Sequence, residues 1–218
     1  MDAMLFTHIS FPHIRLQTRD GHKLRGYFGQ LFRVHSPLHN HYDDGSLRYG
    51  YPLVQYKVVG GVPTLVGLGE GSRLLTELFL RIQSLDIEGR VYPVDHKYIR
   101  NERIAPAIVA DMRAYVFATP WMALNQRNYA AYRRLDEGQQ QPFLQRVLRN
   151  HLVAVLRTLG AALDVPLLVA AQVQEHRTRF KDQEMSTFAG TFVCNADLPD
   201  DIGIGKSVSR GFGTIQRR

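Results

Sequence analysis

Apolar residues along this chain follow two rhythms, one of period two and one of period 3.6, separated by short polar or glycine-containing breaks. Leu5 to Leu16 is rich in apolar and β-branched residues and predicts a strand, which Gly21 closes. In HKLRGYFGQLF, Leu24, Tyr27, Phe28 and Leu31 fall at i, i+3, i+4 and i+7, one face of a helix. The polar, turn-rich stretch RVHSPLHNHYDDGSLRYG follows. YPLVQYKVV and VPTLVGLG then predict two strands joined at Gly60-Gly61, because paired glycines accept the positive φ of a tight hairpin turn. Ser72 is placed to cap a second helix carrying Leu74, Leu75, Leu78, Phe79, Ile82 and Leu85, and IEGRVYPV predicts a fourth strand.

The second half is less regular. RAYVFATP predicts a strand, and a short helix is expected from about Pro120 to Arg133. Gln141 to Leu163 carries the clearest helical pattern of the chain. Leu144, Val147, Leu148, His151, Leu152, Val155, Leu156 and Leu159 lie on one side, with Arg146, Arg149 and Arg157 mostly on the other. His151, on the apolar side, reads as a core histidine with its hydrogen bonds satisfied. VPLLVAAQVQEH and MSTFAGTFVCN predict two long strands. Between the halves, DHKYIRNERIAP is polar and ends in proline, which marks a boundary. The first half has the order β-α-β-β-α-β, the split βαβ arrangement of a ferredoxin-like domain. The expected fold is therefore α+β: two tandem ferredoxin-like domains, 1–98 and 107–218, the second a variant of the first with a C-terminal glycine-rich loop.

Composition narrows the partners. Among the 218 residues, 27 Lys and Arg against 20 Asp and Glu leave a net charge of +7, which points to an anionic partner, nucleic acid above all. The single cysteine, Cys194, excludes a disulfide framework and a cysteine-rich zinc site, so a reducing cytoplasm is the expected location. The opening MDAMLFTHISFPHIRL lacks a charged start followed by a long apolar run, so no signal peptide is expected. No run approaches the roughly 18 apolar residues of a membrane span, and no membrane partner is expected.

The closing stretch GIGKSVSRGFGTIQRR holds four glycines, a lysine and three arginines with no acidic residue. Gly205-Lys206-Ser207 looks like the end of a nucleotide-binding loop. That motif needs a glycine five positions earlier, where Asp200 stands, and a helix afterwards, for which Val208 to Gln216 has no pattern. What remains is Gly203-Ile204-Gly205, the five residues Lys206 to Arg210, and Gly211-Phe212-Gly213. This spacing resembles the glycine-rich loop of the RAMP superfamily of CRISPR-associated RNA-binding proteins. Within that superfamily the chain is similar to the repeat-specific endoribonucleases that cut precursor transcripts. ATPWMALNQRNY and FAGTFVCNADLPDDIGIG add to the resemblance, which spans most of the chain and is strongest over 185–214.

In such a loop glycines let the backbone approach a ligand, successive N–H groups can form a concave anion site, and Lys206 and Arg210 supply charge for phosphates. Gly203, Gly205, Lys206, Arg210, Gly211 and Gly213 are accordingly the expected RNA contacts. RTRFKD, with Arg177, Arg179 and Lys181 around Phe180, reads as a hairpin tip. It suits either RNA contact or an ordinary exposed turn. The implied partner is CRISPR repeat RNA within precursor crRNA. Association with other CRISPR effector subunits and pairing of two copies stay open.

Candidate chemistry lies in the first polar stretch, where His35, His39 and His41 fall within seven residues. The resemblance implies a catalytic histidine at or just after the first helix, the place of His39 and His41. Cleavage by the 2′-hydroxyl needs a base for that proton and an acid for the leaving 5′-oxygen, and histidine serves both because its ordinary pKa is about 6.5. Spacing does not say which histidine is base. Tyr49 is close enough in sequence to orient a base or steady the transition state, and Arg48 and Lys57 are candidates for charge stabilisation. No cofactor or metal is expected. Other readings compete: His39-Asn40-His41 spells the name of a metal-dependent nuclease motif whose members are in fact widely spread. A zinc site using Asp43 or Asp44 lacks further ligands at suitable spacing, and the stretch is also readable as a solvated loop. The expected activity is metal-independent endoribonuclease cleavage leaving a 2′,3′-cyclic phosphate or 3′-phosphate and a 5′-hydroxyl. The alternative is a repeat-binding subunit without catalysis.

Overall fold

The computed structural model describes residues 3–33, 50–180 and 183–218 and forms two compact α+β units. The first comprises Ala3–Ile104 together with Ser209–Gly211. Its strands β1 (Met4–Ser10), β2 (Val54–Val59), β3 (Val62–Leu68) and β6 (Tyr98–Ile104) make one antiparallel sheet in the order β2-β3-β1-β6. Helices α1 (Gly21–Arg33) and α2 (Glu70–Leu78) connect them, and β4 (Ser84–Ile87) and β5 (Arg90–Pro93) form a separate two-stranded ribbon. This is the ferredoxin-like order, with β6 as its fourth strand.

Two expectations need correcting here. IEGRVYPV was expected as the fourth strand, but it turns back on itself at Glu88-Gly89, both at positive φ, and pairs locally as β4–β5. The fourth strand lies instead in the polar stretch expected as a boundary. Ser72 does not cap α2: the helix starts at Glu70 after Gly69, and Ser72 lies inside it. Its hydroxyl sits 2.5 Å from that of Thr7 on β1, and Thr7 also donates to the Asn101 side-chain oxygen at 2.6 Å. This polar node, buried at Thr7 and Ser72, ties α2 to β1 and β6, and the two buried hydroxyls satisfy each other as burial demands. The remaining apolar face works as expected. Leu24 and Phe28 of α1 and Leu74, Leu75 and Leu78 of α2 pack on Ile9, Tyr56 and Leu65 of the sheet. α2 stops at Leu78, and Ile82 and Leu85 enter the same core from beyond it.

The second unit comprises Ala105–Val208 and Phe212–Arg218 among its described residues. Its strands are β7 (Ala107–Phe117), β8 (Val169–Phe180), β9 (Gln183–Asp197) and β10 (Ile215–Arg217), in the order β10-β7-β9-β8. Numbered within their own unit, both sheets read fourth-first-third-second. Helices α3 (Gln126–Tyr132) and α4 (Glu137–Thr158) fill the first crossover. α4 begins earlier than its apolar pattern because Asp136 caps it, its carboxylate accepting from Gln139 N–H at 2.9 Å. It ends before Leu163 because Gly160 takes φ +79°. Where a regular ferredoxin-like domain has its second helix, residues 198–214 carry the glycine-rich loop, with only a short 3₁₀ turn at Val208–Arg210. Leu148, Leu152 and Leu156 of α4 are buried, as are Tyr115, Trp121, Phe188 and Phe192 on the sheet side.

Candidate RNA-binding site

The glycine-rich loop is pinned from within the second unit. Ile204 N–H donates to Gly213 O at 2.8 Å, Gly213 N–H to Pro120 O at 2.8 Å, and Lys206 N–H to Met122 O at 3.0 Å. These three amides therefore point into the fold and are not available to an anion. The glycines also serve close packing. Gly213, at φ +65°, lies against the Ile204 carbonyl, where an added Cβ would clash. At Gly205, φ +98°, an added Cβ would stand 2.6 Å from Trp121 Nε1. Gly203 is packed against the Val208 side chain.

The loop's two cations belong to different units: Lys206 to the second and Arg210 to the first. Both are half-buried. In the first unit Arg210 and Gly211 lie on the start of α1 and on β2. An added Cβ at Gly21 would sit 2.7 Å from Arg210 O, and one at Gly211 would sit 3.0 Å from Tyr56 O. Burial, and then the charge of Arg25 on α1, depress the Arg210 guanidinium from its ordinary value. Sequence reasoning missed Arg25, which follows the core residue Leu24 with no spacing signal of its own.

Trp121 and His151 form an unusual feature of the second unit. Their rings meet edge to face at 5.8 Å and 88°. Trp121 Nε1 and His151 Nδ1 are both buried without a hydrogen-bond partner among the described residues. Burial, and then the charge of Lys206, lower the His151 imidazole to about 4. His151 does lie on the buried side of α4, yet the expectation that its hydrogen bonds are satisfied fails for Nδ1.

The other expected site residues divide. Arg177 is an exposed residue of β8 opposite Ser186, and Arg179 is a backbone partner of Glu184. Both thus belong to the paired strands rather than to a tip, since the register runs unbroken to Phe180 opposite Gln183. Lys181 lies outside the described residues, as do His39, His41, Tyr49 and Arg48. Lys57 on β2 is fully buried, which removes it from the surface where an RNA phosphate would lie. Among the described residues no group of three His, Cys, Asp or Glu side chains is placed to hold a metal ion.

Two tandem ferredoxin-like units with a glycine-rich loop before the last strand make a fold that a RAMP protein binding different RNA substrates shares, at 9% identity and a TM-score of 0.55. The model of the Cas6b N-terminal domain matches residues 3–105, and that of the Cas6b C-terminal domain matches residues 107–218. The chain belongs to the Cas6b family. A crystal structure of Cas6b is similar over the whole of both chains, at 34% identity and a TM-score of 0.92. A second, of the CRISPR RNA processing endoribonuclease Cas6b, also covers both chains fully, at 32% identity and a TM-score of 0.81. An uncharacterized protein of Methanocaldococcus jannaschii is 30% identical over 142 residues, 65% of this chain and 97% of that one. A type IV Cas6 crRNA endonuclease shares the fold at 13% identity and a TM-score of 0.56.

Proposed function

We propose that this protein is a CRISPR repeat-RNA endoribonuclease that cuts precursor transcripts without a metal ion. The observation that carries the reading is the match of both Cas6b domains, end to end, over 3–105 and 107–218. The net charge of +7 and the cations Lys206, Arg210 and Arg177 supply the electrostatics an RNA backbone needs. Arg179, Lys181 and the loop glycines Gly203, Gly205, Gly211 and Gly213 complete the proposed RNA contacts.

Cleavage starts when a base takes the proton of the 2′-hydroxyl next to the scissile phosphate. The 2′-oxygen attacks phosphorus, the bond from phosphorus to the 5′-oxygen breaks, and an acid protonates that oxygen. The upstream product carries a 2′,3′-cyclic phosphate or 3′-phosphate and the downstream product a 5′-hydroxyl. His39 and His41 share the base and acid roles, and Tyr49 assists. Lys206 and Arg210 each supply positive charge for the RNA backbone.

The test incubates the protein with labelled repeat RNA in EDTA, beside His39→Ala and His41→Ala variants and a substrate with a 2′-deoxy residue at the cut. Cutting at one site, lost with the 2′-deoxy residue and weakened in at least one variant, is the expected result. A 3′-hydroxyl product, or activity abolished by EDTA, refutes the mechanism. Tight, salt-sensitive binding with no cutting identifies a repeat-binding subunit instead. Size-exclusion chromatography of the same complexes reports whether two copies pair.

A further inference from the structure

β1 and β6 are antiparallel neighbours, with Ser10 opposite Tyr98. The chain leaves β1 and enters β6 at the same end of the sheet, so residues just past Ser10 meet those just before Tyr98. His13 and His96 stand there, far apart in sequence, with ring centroids 4.9 Å apart and planes at 50°. Both side chains are exposed.

The backbone under each is held. Around His13, Phe11 N–H donates to Pro63 O at 3.1 Å, Ile14 N–H to Phe11 O at 3.1 Å, and Leu16 N–H to Gly61 O at 3.0 Å, while Ile14 is buried. Beside His96, Val94 N–H donates to Gln83 O at 3.0 Å. The Lys97 ammonium is turned onto Ile82 O at 2.6 Å and over the Phe79 ring at 4.9 Å. Arg15 donates to Pro12 O at 2.8 Å, and Asp95 precedes His96 in the chain.

Zinc bonds imidazole nitrogen at about 2.0–2.1 Å in tetrahedral geometry, which sets the centroids of two imidazole ligands roughly 5 Å apart. The observed 4.9 Å separation matches that spacing, and imidazole suits zinc, copper and nickel. We infer that His13 and His96 form a two-imidazole site for a transition-metal ion of the zinc class, with water completing the coordination. Neither residue belongs to the histidine-rich stretch that carries the proposed RNA chemistry, and the site stands whether or not the chain cuts RNA.

The test is calorimetric titration of tag-free, full-length protein with Zn2+, alongside His13→Ala, His96→Ala and a His39→Ala, His41→Ala double variant. One zinc per chain is expected, lost in the first two variants and kept in the third. Zinc binding unchanged in His13→Ala and His96→Ala overturns the proposal, as does binding lost only in the double variant. A second measurement needs no variant. Zn2+ should shift the imidazole ring-proton NMR signals of His13 and His96 and leave those of His22 in place; if neither moves, the site does not exist. RNA cleavage in EDTA is read separately and reports only on the proposed function.

Discussion

Replacing Gly213 with alanine strikes the glycine-rich loop where its backbone is most constrained. Gly213 sits at φ +65°, and an added Cβ would press into the Ile204 carbonyl. An L-residue in the left-handed region costs about 1–2 kcal/mol before any contact is considered. Relieving the clash means moving the two loop segments apart. That puts at risk the Ile204 N–H to Gly213 O and Gly213 N–H to Pro120 O bonds, both 2.8 Å. Each is worth about 0.5–1.5 kcal/mol net, so the whole effect is roughly 2–5 kcal/mol. Trp121 is the only tryptophan of the chain, is fully buried, and belongs to the same unit, so its fluorescence in a urea titration reads this unit alone. Gly60→Ala is the control. It lies in the first unit at φ +56° with nothing within 4 Å of an added Cβ, so it carries only the backbone cost and leaves the tryptophan transition in place. A Gly213→Ala transition within about 0.5 kcal/mol of the parent would refute the packing argument.

Three further outcomes follow from the same geometry. The folded-state pKa of His151, about 4, lies below the ordinary 6.5, so the imidazole is neutral in both states above pH 6.5. As pH falls from 6.5 toward 4 the unfolded chain takes up a proton that the folded chain refuses. Stability then drops by something on the order of 3 kcal/mol, and His151→Leu should flatten that slope in urea titrations across this range. An unchanged slope would show that another group titrates. Tyr115→Phe removes a hydroxyl that donates to Ala196 O and accepts from Leu198 N–H, both at 2.9 Å, while the ring stack on Phe192 stays. It should destabilise the second unit by about 1–3 kcal/mol, and an unmoved tryptophan transition would count against this. Arg177→Ala, on the exposed side of β8, should lower the log–log salt slope of repeat-RNA binding by about one; an identical slope would place Arg177 off the RNA.

Much of the framework was legible because it is local. α1 and α4 declare themselves by apolar spacing, and the β2–β3 hairpin by Gly60-Gly61, since these signals arise within a few residues of one another. β6 was not legible. It is an edge strand with Tyr98, Arg100, Asn101, Glu102 and Arg103 all exposed, so it has no buried face to alternate against a polar one. β4–β5 carries a better strand pattern but satisfies itself through the turn at Glu88-Gly89, and nothing local distinguishes self-pairing from joining the main sheet. Ser72 has the residue type of a cap, but its partner Thr7 lies 65 positions away.

The sequence by itself determined the two-part α+β plan, the cationic character and the glycine spacing of the closing loop, because each depends on residue type and short separation. Tertiary structure alone decided that three of the loop's amides turn inward, that Lys206 and Arg210 part between the two units, and that the charge of Arg25 acts on Arg210. It also brought His13 to His96. These facts depend on which strands pair and in what register. Pairing energy is shared among many contacts between distant residues, so no short stretch of sequence records it.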